Sequence, residues 1–442
     1  MHEPSQLEAK IPRELPPATA PSSQSRLKAL SAGAIGNAVE WYDMAIYAVM
    51  APIYASLFFP SGNSTAQLLA AFALFGVGFV MRPIGAVVFG HLGDKVGRKV
   101  ALSWAVILMS MATLGIGLVP THAAIGIFAP VLLTLLRLLQ GFSAGGEWGG
   151  SVAFMVEYAP DGKRGFFGSW QQVSVALGFL AGSLTSALVS TVLSTEALHS
   201  WGWRIPFLFG GVLGAVGFYL RRSLEETPRY AEAEAEAEVS RSPLRETFAE
   251  HKAACGRAFL YAAFYNVTYY ILLTYTPTYL SVTLGYSFTQ GLLASVITLI
   301  VFAVCIPFTG ALSDRIGRKP LLLIACGGCV LFTYPLFLVM NAGHFVYVVS
   351  ALAVFAILMS CFSGPGPAAL AEMFPTEVRF TALSIGYNFG AVAFGAGAPF
   401  IATWLIRTTG TSLAPSYYVI FGCMITLCLV LTMRETAFSK LR

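Results

Sequence analysis

The sequence predicts an all-helical membrane protein with about twelve transmembrane helices, arranged as two similar halves. Of the 442 residues, 56% are hydrophobic and only 11% are charged, and the hydrophobic residues form long runs. A soluble protein would carry about 25% charged residues. Two blocks of sequence also occur twice: residues 90–99 recur at 310–319, and residues 157–164 recur at 372–379. Both offsets are close to half of the chain, which indicates an internal duplication.

Twelve hydrophobic stretches have about the 20 residues, or more, that a helix needs to cross a membrane. They lie near 29–55, 66–91, 99–119, 124–157, 164–191, 202–221, 257–283, 289–312, 320–341, 345–371, 379–406 and 415–433. The first pair of repeated blocks falls between helices two and three and between helices eight and nine. Six helices therefore separate the copies, and the two halves run in the same direction. Parallel repeats of this kind are typical of membrane transporters.

The chain divides into five segments by composition. They are an N-terminal tail at 1–28, a six-helix bundle at 29–221, a linker at 222–256, a second six-helix bundle at 257–433 and a C-terminal tail at 434–442. Of the 27 lysines and arginines, 23 lie in the tails, the linker and every second loop. The positive-inside rule places these segments, including both termini, in the cytoplasm. We therefore expect a multi-pass protein of a bacterial-type inner membrane.

Several other functions are not expected. The net charge of +5 is accounted for by membrane orientation, so no nucleic-acid partner is predicted. The Cys326 and Cys329 pair has the spacing of a redox or metal motif, but no second pair accompanies it, so we expect packing and no metal site. A phosphate-binding Gly-x-x-x-x-Gly-Lys-Ser/Thr loop is absent from the sequence, which argues against ATP as the energy source. Neither an enzymatic activity nor an obligate protein partner is predicted.

The duplicated block, Gly-x-Leu-x-Asp-x-x-Gly-Arg-Lys, resembles the loop signature of the major facilitator superfamily. Further segments are similar to its metabolite:proton symporter branch, which moves proline and glycine betaine, α-ketoglutarate, citrate or shikimate together with protons. They are residues 36–43, 81–85, 140–147, 201–207 and 225–228. The resemblance covers residues 30–437. It implies two six-helix bundles that work by alternating access and use a proton gradient without a cofactor.

Within that branch, the C-terminal half is most similar to the proline/glycine-betaine symporters, in residues 269–280, 373–376 and 414–418. The resemblance implies an importer of a small carboxylate-bearing metabolite, with proline or glycine betaine first. Alternatives are a di- or tricarboxylate or shikimate symporter, then a proton-antiport exporter or a non-transporting receptor. The expected partners are the metabolite, protons and the lipid bilayer. The osmoregulatory symporter of this group has a long C-terminal extension. Because the sequence here ends at Arg442, soon after the last predicted helix, the resemblance does not imply osmotic gating by such an extension.

Charged residues inside the predicted helices are functional candidates, because each costs about 2.5–3.5 kcal/mol to insert. Glu40 and Asp43 share one face of helix one, and with Glu147 on helix four they are the candidates for proton coupling. Arg82 and Arg137 could bind a substrate carboxylate through paired hydrogen bonds. Alternatively, Glu40–Arg82 and Arg137–Glu147 are structural ion pairs.

Helix seven supplies aromatic and neutral polar groups instead of charges. Aromatic faces attract an ammonium group by cation–π interaction. The predicted substrate contacts are Asn37, Tyr42, Arg82, Arg137, Tyr265, Asn266 and Tyr269. A cavity with arginine on one wall and aromatic rings on the other suits a zwitterion. A dicarboxylate would need a second arginine, which Arg137 or Arg204 could supply.

The resemblance also implies that the repeated loops form a charge network that closes the cytoplasmic side. The expected gating residues are Asp94, Arg98, Glu157 and Arg164 in the first half and Asp314, Arg318, Glu372 and Arg379 in the second. A carboxylate in such a loop is well placed to meet a helix N-terminus, where the backbone dipole is positive.

Overall fold

The computed structural model describes residues 23–60, 62–96, 98–157, 159–160, 162–222, 252–374 and 376–439. Every regular element in these ranges is a helix, and the helices make twelve crossings, numbered here as spans 1 to 12. Eight helices in the described ranges are long and apolar enough to cross a membrane, and they belong to spans 2, 4, 5 and 8 to 12. Most of the predicted tail at 1–28 and of the linker at 222–256 lies outside the described residues.

The N-terminal half contains spans 1 to 6. Span 1 is Ser23–Val49, span 2 is Ser64–Val80 with Arg82–Val96, span 3 is Arg98–Leu118, span 4 is Phe128–Ala144 with Glu147–Glu157, span 5 is Arg164–Val192 and span 6 is Ile205–Arg222. Short helical segments at Ala51–Phe58, His122–Ile125, Thr195–Ser200 and Gly202–Arg204 connect them.

The C-terminal half repeats this arrangement with spans 7 to 12. Span 7 is Lys252–Thr268, continued by Tyr269–Thr274, Thr276–Thr278 and Tyr279–Thr283. Span 8 is Phe288–Ile316, span 9 is Arg318–Met340, and span 10 is Phe345–Ser363 with Gly366–Ala371. Span 11 is Thr376–Gly390, continued by Ala391–Gly395 and Ala398–Thr409, and span 12 is Ala414–Thr432. Spans 7 and 11 contain π-helical turns, at Tyr269–Thr274 and Tyr279–Thr283 and at Ala391–Gly395. Such turns occur frequently at functional sites.

Two helices extend at least five residues before the start that the hydrophobic pattern predicts. Span 1 is already helical at Ser23, where the sequence indicated a start at 29, and span 7 is already helical at Lys252, where it indicated 257. The added turns contain alanine, leucine, lysine and arginine, which favour helix even outside the apolar core of a membrane. Hydrophobic length therefore marks the membrane-crossing part of each helix and not its first turn.

Glycines allow spans 2 and 4 to touch backbone to backbone. A Cβ atom added at Gly141 would lie 1.6 Å from the carbonyl oxygen of Gly78, and one added at Gly145 would lie 2.0 Å from that of Arg82. Small residues spaced four apart favour this close packing of membrane helices. The contact holds Arg82 deep in the N-terminal half, and span 4 breaks directly after it, between Ala144 and Glu147.

The two halves meet at both ends of the molecule. At the end that carries the second repeated block, residues 310–319, span 5 packs along span 8. We call this end the repeat-loop face. At the opposite end, the Phe72 ring of span 2 lies 5.7 Å from the Tyr275 ring of span 7, and Val49, Ala187 and Leu292 form a small cluster. The centre of the molecule is therefore covered from both sides.

Candidate substrate site between the two halves

A small cavity lies at the centre, between spans 1, 4 and 5 of one half and spans 7 and 11 of the other. Its lining residues are Trp41, Trp148, Gln172, Val175, Tyr265, Asn266, Tyr269, Tyr270 and Tyr387. The space that the centre of a water molecule can occupy in this cavity is about 10 Å³. This is room for roughly one water molecule. The structure is therefore an occluded form, in which the central site is closed toward both faces.

Six aromatic rings form most of the cavity wall, and both halves contribute them. The indole of Trp148 stacks on the Tyr387 ring across the boundary between the halves, with centroids 3.4 Å apart and planes 4° from parallel. Trp41 and Tyr270 also face each other across this boundary, but less closely, with centroids 6.5 Å apart and planes 29° from parallel. Because the faces of aromatic rings carry partial negative charge, this wall is suited to a cationic group with little polar surface.

Polar groups interrupt the aromatic wall at a few points. The Tyr269 hydroxyl donates to Gln172 Oε1 at 2.7 Å, a hydrogen bond that joins the two halves. Asn266 Nδ2 donates to the carbonyl of Ala262 at 2.8 Å. The hydroxyls of Tyr265 and Tyr270 are buried without a hydrogen-bond partner in the described structure. An unpaired buried donor costs about 1–3 kcal/mol, so either hydroxyl would gain from a ligand that accepts a hydrogen bond.

Arg82 lies directly behind the cavity wall and is fully buried. Its Nη2 atom is 3.3 Å from Glu40 Oε1, which is the ion pair that the sequence offered as an alternative. The guanidinium carbon is 4.4 Å from the centroid of the Phe79 ring and 5.8 Å from that of Trp41. The Phe79 ring also contacts Tyr270 at 5.3 Å. The guanidinium of Arg82 therefore lies against Trp41, which lines the cavity, and against Phe79, which contacts the lining residue Tyr270.

Asp43 belongs to a second buried network inside the N-terminal half. Thr113 Oγ1 donates to Asp43 Oδ2 at 2.6 Å, Gln140 Nε2 donates to Thr113 Oγ1 at 2.6 Å, and Arg137 Nη1 donates to Gln140 Oε1 at 2.7 Å. Two neutral side chains therefore connect the carboxylate to the arginine. The other oxygen, Oδ1, has no hydrogen-bond partner in the described structure, and it faces Gly210 of span 6.

Other predicted substrate contacts hold the site from behind or lie apart from it. Asn37 Oδ1 accepts a hydrogen bond from Trp41 Nε1 at 3.2 Å, so Asn37 positions a cavity ring. Tyr42 points away, and its hydroxyl donates to the carbonyl of Pro206 at 2.8 Å. The Arg137 guanidinium stacks on Tyr47 at 4.0 Å within the N-terminal half. Glu147 is buried at the start of the second helix of span 4.

The cavity therefore contains three of the seven predicted contacts, Tyr265, Asn266 and Tyr269. The other six lining residues were not among the predicted contacts: Trp41, Trp148, Gln172, Val175, Tyr270 and Tyr387. Trp41, Trp148 and Tyr270 are each adjacent in sequence to a residue that was singled out, so the correct helix turns were found but not the inward-facing side chains. Gln172 and Tyr387 carried no comparable signal.

A charged cluster joins the halves at the repeat-loop face. Asp314 Oδ1 accepts from the backbone N–H of Gly165 at 2.8 Å and Oδ2 from that of Phe166 at 2.9 Å, at the N-terminus of span 5. Glu372 Oε1 lies 3.1 Å from Arg164 Nη1 and 3.4 Å from Arg318 Nη2. Four of the predicted gating residues thus meet in one place. The side chains of Asp94, Arg98, Glu157 and Arg379 are outside the described structure.

Glu435, which the sequence analysis did not identify, attaches the C-terminal segment to this cluster. Its Oε1 accepts from the N–H of Arg318 and its Oε2 from that of Lys319, both at 2.9 Å, so it caps span 9. Partial burial alone would raise the pKa of Glu435, but hydrogen bonds from four backbone N–H groups outweigh it and lower the pKa below 4.5. The neighbouring Thr436 hydroxyl donates to Glu372 Oε2 at 2.6 Å.

We expect the Glu435→Ala variant to lose about 0.5–2 kcal/mol of stability, the usual cost of removing a helix cap. Because folding lowers this pKa, the stabilisation is complete above pH 4.5 and is lost as the pH falls through the lowered pKa. Thermal unfolding of the purified protein in detergent, followed between pH 7 and pH 3, measures both effects. Glu196→Ala, at an exposed site, is the control, and an equal loss in both variants would contradict the cap.

Two glycines permit close contact of the halves on either side of the cavity. A Cβ atom at Gly149 of span 4 would lie 1.9 Å from Ser384 Oγ of span 11, toward the repeat-loop face. A Cβ atom at Gly76 of span 2 would lie 2.6 Å from the carbonyl oxygen of Ala396 of span 11, toward the opposite face. Larger residues at these positions should therefore separate the halves on one side only.

We expect Gly149→Val to favour a form open at the repeat-loop face and Gly76→Val a form open at the other face. Gly327→Val is the matched control, because nothing lies within 4 Å of a Cβ atom there. Distances between spin labels on the two halves, measured at each face, report the result. Widening at the same face in both variants would contradict the assignment.

Two six-span halves in parallel orientation around a closed central cavity define a membrane transport protein. The chain belongs to the family described as "Sugar (and other) transporter", whose signature matches residues 30–442. This finding confirms the resemblance to the major facilitator superfamily and the predicted fold class.

Known relatives agree with this assignment. The proline/betaine transporter of Salmonella typhimurium is 38% identical over 94% of this chain and 85% of its own length. The glycine betaine/proline/ectoine/pipecolic acid transporter OusA of Dickeya dadantii is also 38% identical, over 94% of this chain and 84% of its own. The solved structure of the proton:xylose symporter XylE with a bound bromodeoxyglucose superimposes with a TM-score of 0.77, at 17% identity, over 95% of this chain and 98% of that one. At that identity, it supports the fold.

Proposed function

We propose that this protein is a proton-coupled importer of a small zwitterion, with glycine betaine and proline as its first substrates. The observation that carries the proposal is the aromatic cavity with a buried arginine directly behind its wall. Rings such as Trp148 and Tyr387 would surround the ammonium group, and Arg82 would attract the carboxylate. The names of the relatives point to the same substrates.

The transport cycle would be alternating access, in which the two halves rock about the central cavity. The charged cluster of Arg164, Asp314, Arg318 and Glu372 would close the repeat-loop face and separate when that face opens. We assign Asp94, Arg98, Glu157 and Arg379 to the same gate by their place in the repeated blocks. The repeat-loop face would be cytoplasmic, in a bacterial-type inner membrane with both chain ends on that side.

The proton would bind a buried carboxylate of the N-terminal half. Asp43 is the first candidate because it is buried, has one free oxygen and lies at the end of a hydrogen-bonded chain. Glu40 and Glu147 are the other two. The proton gradient would supply the energy, so that no metal or cofactor takes part in the cycle.

An organic acid is the second candidate substrate, because Arg137 is also buried in the same half. A dicarboxylate would need both arginines to face the cavity. The Phe75 ring, however, covers Arg137 with 5.3 Å between guanidinium carbon and ring centroid, and it packs against Tyr270 on the cavity side. This arrangement favours a substrate with one carboxylate.

Uptake into proteoliposomes with an inward proton gradient tests the proposal. Labelled glycine betaine, proline, α-ketoglutarate, citrate and shikimate would be compared, with and without a protonophore. We expect uptake of betaine or proline that collapses with the protonophore. Uptake of an organic acid alone would contradict the zwitterion proposal. Export of substrate driven by protons that move in the opposite direction would indicate an antiporter.

A further inference from the structure

We propose that Tyr270 is the hydrogen-bond donor through which the C-terminal half holds the substrate's carboxylate, together with Arg82 of the N-terminal half. A carboxylate bound in this way would connect the two halves, and the site would select substrates that carry one. This inference rests on the proposed function, because it requires a substrate with a carboxylate. It gives that carboxylate a second ligand, in the opposite half of the protein.

The hydroxyl of Tyr270 is a buried donor without an acceptor. The side chain lines the cavity and is 1% exposed, and its hydroxyl has no hydrogen-bond partner in the described structure. Leaving a buried donor unpaired is costly, so such a group in a cavity wall indicates a missing acceptor. Tyr270 also belongs to the π-helical turn Tyr269–Thr274 of span 7, and π-helical turns are frequent at functional sites.

Tyr270 projects from span 7 toward the N-terminal half. Its ring packs edge-on against Phe79 of span 2, with centroids 5.3 Å apart, and faces Trp41 of span 1. The hydroxyl of Tyr265 is also buried and unpaired, but it is directed at Gly366 of span 10, where an added Cβ atom would collide with it. Of the two unpaired hydroxyls, that of Tyr270 is therefore the one placed to meet a group bound between the halves.

Arg82 contacts the same two rings as Tyr270. Its guanidinium carbon lies 4.4 Å from the centroid of the Phe79 ring and 5.8 Å from that of Trp41. Its Nη2 atom donates to Glu40, whereas Nε and Nη1 have no hydrogen-bond partner in the described structure. Arg82 and Tyr270 are also close enough to interact electrostatically. Either unpaired nitrogen can thus donate to a substrate without breaking the pair with Glu40.

A carboxylate can accept hydrogen bonds from both groups at once. Its two oxygens offer about four lone-pair sites, and hydrogen bonds to a charged carboxylate are roughly twice as strong as those between neutral groups. A zwitterion adds no net charge, so this step needs no accompanying proton. The cavity has room for roughly one water molecule, so the halves must move apart slightly to admit the substrate. Because one donor belongs to each half, the bound carboxylate would favour the occluded form.

The Tyr270→Phe variant tests the assignment, because it removes the hydroxyl and keeps the ring. Calorimetry with glycine betaine and the purified full-length chain should give a Kd roughly 10- to 150-fold above that of the wild type, the usual effect of losing a hydrogen bond to a charged group. Tyr286→Phe is the matched control. The Tyr286 hydroxyl is also buried and unpaired in the described structure, but it lies after span 7 and outside the cavity lining. Its removal should leave Kd within about twofold of the wild type, and wild-type affinity in Tyr270→Phe would overturn the inference.

Thermal unfolding separates a binding role of Tyr270 from a structural one. Because the hydroxyl is unpaired in the folded protein, its removal should leave the unfolding temperature of the ligand-free protein unchanged or raise it. A fixed concentration of betaine should then stabilise Tyr270→Phe less than the wild type. A variant that is less stable without ligand and is stabilised by betaine as much as the wild type would assign Tyr270 a structural role and contradict the inference.

A double variant tests whether Tyr270 and Arg82 hold the same group. If both donate to one carboxylate, the combined Arg82→Gln and Tyr270→Phe variant should raise Kd by less than the product of the two single effects. Effects that simply multiply would show that the two residues act separately, and would contradict the bridge between the halves.

A measurement on the wild type covers the case in which Tyr270→Phe does not fold. Distances between spin labels on the two halves, measured at both faces, should shift toward the occluded form with betaine. Tetramethylammonium, which has the ammonium group and no carboxylate, should produce a smaller shift, and an equal shift would overturn the inference. If the wild type binds neither betaine nor proline, the proposed function fails instead.

Discussion

Asp43→Asn is expected to abolish proton-driven accumulation while exchange of substrate across the membrane continues. The asparagine side chain can still accept the hydrogen bond from Thr113, so the buried network should survive. It cannot bind and release a proton, so the gradient would no longer drive the cycle. The measurement compares accumulation under an inward proton gradient with counterflow between labelled and unlabelled substrate at equal pH.

Thr113→Ser is the matched control for this variant, because it keeps the hydroxyl that Asp43 accepts from. Accumulation should be close to that of the wild type. Full accumulation by Asp43→Asn would remove Asp43 from the coupling mechanism and leave Glu40 and Glu147. Loss of both accumulation and counterflow would instead assign Asp43 to the conformational change.

Arg82→Gln should weaken the binding of every substrate that carries a carboxylate. Loss of a hydrogen bond to a charged group costs about 1.5–3 kcal/mol, which corresponds to roughly 10- to 150-fold in Kd. Competition by unlabelled betaine and proline against labelled substrate measures the change. Glutamine retains a side chain of similar polarity at the position and removes the positive charge.

Arg204→Gln is the control for that experiment. Arg204 is also an arginine of the N-terminal half, but it donates to the carbonyls of Gly117 and Val119 at 2.7 and 2.8 Å, at the end of span 3 away from the cavity. Its loss should lower stability and leave Kd unchanged. An Arg82→Gln variant with wild-type affinity would contradict a binding role for Arg82.

The fold could be predicted because its causes are local and repeated. The hydrophobic runs indicate where the chain crosses the membrane. The two copies of the Asp-x-x-Gly-Arg-Lys loop, six helices apart, indicate that the two halves run in the same direction. Gly141 and Gly145 have the four-residue spacing that favours close helix packing, and the structure places both against the backbone of span 2. The helical turns at Ser23 and Lys252 were not predicted because polar helical turns leave no hydrophobic signal.

The site was harder to predict because it depends on which way each side chain faces. Glu40, Asp43 and Arg82 were identified by their charge, because a charged side chain in a membrane helix is costly to insert and usually has a function. Aromatic residues carry no such signal: Tyr42 packs against span 6, while its neighbour Trp41 lines the cavity. A residue such as Tyr387 enters the site only through packing between halves that are far apart in sequence.

The same reasoning applies at the repeat-loop face. The sequence indicated that a loop carboxylate would meet a helix N-terminus, and Asp314 does so at span 5. It did not indicate Glu435, because the partner N–H groups belong to Arg318 and Lys319, more than a hundred residues earlier. A cap from a distant segment has no sequence pattern of its own.

Proton movement on addition of betaine tests the central claim most directly. Proteoliposomes that contain the protein and an internal pH indicator would receive glycine betaine outside, with no gradient imposed at the start. The account predicts acidification of the interior that depends on betaine and is absent from protein-free liposomes. Betaine uptake without acidification, or with alkalinisation, would contradict proton symport.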